Sequence, residues 1–156
     1  MARMLNLTLN VRRIPVRLPA GPDGLVEAVL FLAPPDPRGS QGLLGRLNDH
    51  DGFVPASIDG KIKLLAKSSM AMLACLEPLD ELSELEEFQA SSANLRVRLR
   101  GGAVVAGLVR VLLPGDRQRP LDFLNHPDRF FPLVTEFGTV VVNKDWIESV
   151  EQLEFA

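Results

Sequence analysis

The chain has 156 residues and a formal net charge of −3, with a 46% hydrophobic share and a mean hydropathy of +0.11. That is enough apolar material for a core, and the charge is not the strongly positive one that backbone-driven nucleic-acid binding prefers, which leaves room for a local basic patch alone. The lone Cys75 excludes an intramolecular disulfide, and no uninterrupted apolar run is long enough for a signal peptide or membrane span. These features place the protein in the cytoplasm, and the Leu/Ala/Arg/Pro usage points to a GC-rich bacterial source.

The charge is uneven. Residues 1–78 carry nine Lys/Arg and seven Asp/Glu, residues 79–93 carry five acids and no base, and residues 94–156 carry eight of each. The acidic stretch therefore separates two nearly neutral units.

Those units share a pattern. Val16 to Glu77 reads VRLPAG, VEAVLFL, PPDPR, LLGRLNDHDGFVP, DGKIKLLAK and MAMLACLE. Val97 to Glu154 reads VRLRGG, VAGLVRV, LPGDR, PLDFLNHPDRFFP, FGTVVVNK and IESVEQLE. Val16-Arg17-Leu18 falls on Val97-Arg98-Leu99, Ala28 on Gly107, Phe53 on Phe130, Lys67 on Lys144 and Met70 on Ile147. The drifting offset predicts insertions in the first copy at Pro22 to Gly24 and around Ser40. An internal repeat of this length implies two similar units: a first β module over 12–78, an acidic connector over 79–93 and a second β module over 94–156.

In the first unit, strands are expected over Ile14 to Leu18, Leu25 to Ala33, Phe53 to Ser57, Lys61 to Ala66 and Met70 to Leu76. Pro78 to Ser92 follows. Leu79, Leu82, Leu85 and Phe88 recur every three residues among five acids, which predicts a short amphipathic helix, and Ala90 to Ala93 reads as linker.

In the second unit, Leu95 to Arg100 alternates apolar and arginine residues, the mark of a half-buried strand. Gly101-Gly102 makes a tight turn into a long apolar strand, Val104 to Leu113. Gly107 in its middle marks a bend, a bulge or a close backbone approach. Leu121 to Asn125 reads as one helical turn, and strands follow at Arg129 to Val134, Gly138 to Asn143 and Trp146 to Val150. The expected fold class is mainly β: two tandem five-stranded small barrels or curved sheets joined by a short acidic helix.

Two segments of the second unit carry a resemblance. LRVRLRGGAVVAGLV, Leu95 to Val109, resembles the first signature of the Sm/LSm small barrels, and VVNKDWIESV, Val141 to Val150, resembles the second. The resemblance implies RNA contacts from an asparagine in the loop after the second strand and from a basic residue in the last turn. Asn125 and Lys144 stand at those places, and Asn48 and Lys67 are their repeat mates. Arg13 and Arg17, with the turn Ser57-Ile58-Asp59-Gly60, resemble the PilZ signature. That implies a cyclic di-GMP site in which the arginines clamp phosphates.

The residues also have plainer readings. A lysine at a β-turn is expected to be solvated, although recurrence of Lys67 and Lys144 points to a shared ligand contact or packing ion pair. Asn48 and Asn125 are expected to cap turns through their own backbone. Asp49-His50-Asp51 and His126-Pro127-Asp128 lie in matching loops, but the histidines do not align and offer too few convergent ligands for a metal. No phosphate loop, nucleophile elbow or paired-carboxylate helix is present.

The sequence thus reads as a non-enzymatic adaptor or regulatory subunit with no cofactor and no catalytic or metal residues. Its expected partner is a protein, taken up at exposed strand edges, and a homo-oligomer is one form this could take. RNA binding through Asn48, Lys67, Asn125 and Lys144 is the second reading, disfavoured by net charge. A cyclic di-GMP receptor using Arg13, Arg17 and Ser57 is the third.

Overall fold

A computed structural model of the chain describes residues 12–20, 24–32, 42–79, 91–111 and 120–153. It is mainly β. The strands are β1 (Arg12–Ala20), β2 (Gly24–Leu32), β3 (Phe53–Ile58), β4 (Lys61–Ala66), β5 (Met72–Cys75), β6 (Ser91–Leu99), β7 (Val104–Val111), β8 (Phe130–Thr135), β9 (Gly138–Asn143) and β10 (Ile147–Leu153). Two short helices, α1 (Leu43–Asn48) and α2 (Pro120–Leu124), precede β3 and β8, and 3₁₀ turns at Lys67–Ser69 and Lys144–Trp146 follow β4 and β9.

All ten strands form one antiparallel sheet, in the order β10-β6-β7-β8-β9-β5-β1-β2-β3-β4. This corrects the expectation of two separate barrels. The strand expected to close the first unit, β5, pairs on one side with β1 and on the other with β9, through Met72↔Val142, Leu73↔Val141 and Ala74↔Val140. Both halves still follow one strand order, fifth-first-second-third-fourth.

The ladders also give the halves a common register. Val16 pairs with Ala28 and Cys75, and Leu95 pairs with Gly107 and Gln152. Val29 pairs with Ser57, and Leu108 with Val134. Val16 therefore stands where Leu95 stands, two residues from the Val97 that the matching VRL triplets suggest. The first hairpins have equal length, since Ala20 faces Gly24 and the Leu99 N–H donates to Ala103 O. No insertion sits there. Identical triplets misled because alternation makes a two-residue slip chemically silent.

The acidic helix expected within 79–93 falls mostly on 80–90, outside the described residues. Its boundaries shift at both ends. Leu79 is buried in the first core, and β6 begins at Ser91, inside the expected linker, because β7 continues far enough for Ser91 to pair with Val111.

Local chemistry explains the turns. Asp59 and Gly60 both take positive φ, 53° and 76°, as a two-residue hairpin of the right twist requires. Gly107 marks a close approach: a Cβ there would lie 2.8 Å from Val134 O on β8. Among the described residues the neighbouring Leu108↔Val134 pair sets the β7–β8 register.

Two apolar clusters lie along the sheet. One gathers Val16, Leu30, Val54, Leu73 and the helix residues Leu43 and Leu47; the other gathers Leu95, Val97, Leu99, Val109 and Leu133. The seam strands serve both. Phe130 and Val141 enter the first cluster, while their neighbours Phe131 and Val142 enter the second. Successive strand residues point to opposite faces, so β8 and β9 are buried on both. Two half-cores share these strands and cannot separate without exposing them.

Candidate functional site: the seam and the outer edges

Lys67 follows β4 and is 1% exposed, against the expectation of a solvated turn lysine. Its Nζ donates to Arg46 O at 2.6 Å and to Asp49 Oδ1 at 2.6 Å. The first bond satisfies a carbonyl that α1 leaves without an intrahelical partner, where a cation is favoured. Asp49 also accepts from Arg46 Nη1 at 2.8 Å and from the Asp51 N–H at 2.9 Å. Burial alone raises the Asp49 carboxyl, but the bonds from Lys67, Arg46 and the Asp51 backbone outweigh it and hold the group below its ordinary value.

Lys144 repeats the device. Its Nζ donates to Phe123 O at 2.9 Å and His126 O at 3.0 Å, and lies 4.8 Å above the Phe123 ring. Burial pushes its ammonium below the usual lysine value, and Asp128 partly offsets that. Both lysines thus bind the carbonyl end of the short helix before them. Lys67 makes a packing ion pair, with Asp49, whereas Lys144 is held by carbonyls and an aromatic ring.

Asn48 does not cap its own turn. Its Nδ2 donates to Phe130 O at 3.0 Å and its Oδ1 accepts the Phe130 N–H at 2.7 Å. The amide thereby reads the backbone of the second half like one more strand residue. Asn125 is exposed, and its backbone N–H donates to Leu121 O. The four residues do not converge: Asn48 and Lys144 line a small cavity of about 360 Å³ with Phe123 and His126, Lys67 is enclosed elsewhere, and Asn125 faces solvent.

Asn143 and Trp146 were not expected as seam residues. Asn143 is fully buried; its Nδ2 donates to Lys67 O at 3.2 Å and Met70 O at 3.0 Å, and its Oδ1 accepts the Asp145 N–H. Trp146 Nε1 donates to Ser68 O at 2.8 Å. Both grip the 3₁₀ turn of the first half. A hint was present: alignment puts Ala66 and Ser69 opposite them, so polar and aromatic groups occur in one copy alone. Above this joint lies an apolar cleft of about 740 Å³ between Leu18, Val26 and Leu65 on one side and Leu99 and Trp146 on the other.

Arg13, Arg17 and Ser57 share the outward face of β1–β2–β3, as their cross-strand partners Phe31, Glu27 and Val29 show. Arg17 Nη2 lies 3.5 Å from Glu27 Oε1, both exposed. None of the three lines either of these two cavities.

The edges differ from the seam. Among the described residues nothing pairs with the outer side of β4 or of β10. On the β4 side, Phe53, Ile62 and Leu64 are exposed by 57%, 48% and 70%. Among the described residues no group of three or more His, Cys, Asp or Glu could hold a metal ion, and no helix is long and apolar enough to cross a membrane. Compared with family models, curated proteins and solved structures, the chain finds no match.

Proposed function

We propose that the protein is a non-enzymatic adaptor or regulatory subunit, built from two Sm-like β modules joined edge to edge, that binds a protein partner by strand addition. The observation that carries this reading is the β4 edge: an outer strand without a described neighbour, beside exposed Phe53, Ile62 and Leu64. An extended partner segment would bond to the backbone and cover those side chains. Isolated exposed apolar residues mean little, but a contiguous group on a bare sheet edge is an attachment surface or an aggregation hazard.

The inward bonds of Asn48, Lys67 and Lys144 speak against using them to hold RNA. The carboxylate of Glu27 beside Arg17 speaks against a dinucleotide clamp, since it would repel a bound phosphate. The test is a crosslinking pull-down comparing the native chain with Leu64→Asp. Loss of the crosslinked partner in the variant is expected. Partner capture indifferent to Leu64, together with tight binding of RNA or cyclic di-GMP, would overturn the proposal.

A further inference from the structure

We infer that the partner at the β4 edge is a second copy of this chain: β4 of one copy pairs antiparallel with β10 of the next. The inference rests on the reading of β4 as a protein-binding edge and names its occupant.

The seam inside the chain is the template. There, the fourth strand of one half (β9) pairs with the fifth strand of the other (β5). Among the described residues the sheet ends in a fourth strand, β4, and a fifth strand, β10, each without a neighbour on its outer side. Because β3–β4 and β8–β9 share a register, Leu65, Leu64 and Lys63 stand where Val142, Val141 and Val140 stand. Because β5 and β10 share one too, Ser149, Val150 and Glu151 stand where Met72, Leu73 and Ala74 stand. Transferring the seam gives Leu65↔Ser149, Leu64↔Val150 and Lys63↔Glu151 between copies.

Three observations favour this occupant over an arbitrary strand. First, Val141 and Phe130 are buried by the seam, whereas Leu64 and Phe53 at the same positions are exposed; a β10 strand would cover them and seat Leu64 beside Val150 of the second core. Secondly, the edges are complementary, with Lys61 and Lys63 exposed on β4 and Glu148 and Glu151 on β10. Thirdly, Asn125 is exposed at the position from which Asn48 grips Phe130, and so is placed to grip the Phe53 backbone of the adjoining copy. Phe53 O already accepts Arg46 Nη2 at 3.3 Å, and a carbonyl accepts two such bonds.

The joint is weaker than the seam. Ala66 and Ser69 replace Asn143 and Trp146, so the contact lacks the grips that hold the 3₁₀ turn. Assembly is therefore concentration-dependent. The contact is head to tail, and it leaves one β4 and one β10 free until a ring closes.

Charge reversal tests this on the full chain. Sedimentation velocity across a concentration series should show the native protein assembling. Lys61→Glu/Lys63→Glu and Glu148→Lys/Glu151→Lys should each sediment as folded monomers, matching the native chain by circular dichroism. Mixed, they should reassemble, because each acidic edge then meets a basic one. A native chain that stays monomeric throughout, or variants that assemble as well as it does, would overturn the inference. A monomeric chain whose β4 edge, by Leu64→Asp, still controls binding of a different protein sinks this occupant and leaves the edge-binding reading standing.

Discussion

Asn48 holds Phe130 by both backbone groups, donating to its carbonyl at 3.0 Å and accepting its N–H at 2.7 Å across 82 positions of chain. One side-chain amide thus ties the helix of the first half to the strand that begins the seam. Asn48→Ala leaves both Phe130 groups without that partner, a cost of about 1–3 kcal/mol. Urea denaturation should show a lower midpoint, and Asn48→Asp, which keeps the acceptor but loses the donor, should fall between.

Among the described residues Lys67 is the most enclosed cation, held by Arg46 O and Asp49. Lys67→Met keeps the stem but leaves Asp49 with Arg46 as its remaining cation, which should cost about 3 kcal/mol. Lys61→Met, on the exposed edge, should change stability by less than about 0.5 kcal/mol. Equal effects in a thermal melt would remove the structural role assigned to Lys67.

The Asp49 carboxyl lies below its ordinary value because the folded state binds its charged form. Its contribution is therefore complete above the unfolded value of about 3.9 and disappears as pH falls through the folded one. Asp49→Asn should be clearly less stable than the native chain near neutrality, and the gap should narrow below about pH 4. Urea midpoints measured across that range check the sign; a gap that widens on acidification contradicts it.

Gly107 lets β8 cross β7 closely. Gly107→Ala places a Cβ 2.8 Å from Val134 O, a backbone atom that yields only if the strand moves. The expected loss is about 1–3 kcal/mol. Gly52→Ala is the control, since a Cβ there meets nothing within 4 Å. Chemical-shift changes spreading along β8 in the first variant and absent in the second would support this account.

Much of the local structure was legible in the chain. The spans of β4 and β9 matched their expected limits, and Gly107 and the Asp59-Gly60 turn did what glycine chemistry predicts. The candidate site was legible as positions but not as roles. Recurrence picked out Asn48, Lys67 and Lys144, yet each turned inward, because the carbonyls they bind belong to helix ends and strands remote in sequence. Recurrence cannot mark Asn143 and Trp146, which stand opposite Ala66 and Ser69; the signal they carry is their difference from the other copy.

By itself the sequence determined alternation, turns and glycine positions, since these depend on the preferences of a few adjacent residues. Only the tertiary structure decided that β5 takes β9 as a neighbour, that Val16 stands with Leu95, and that a lysine lies under a helix end. Strand pairing is a choice among distant partners whose edges look alike in one dimension, and burial of a charge depends on what that choice brings beside it.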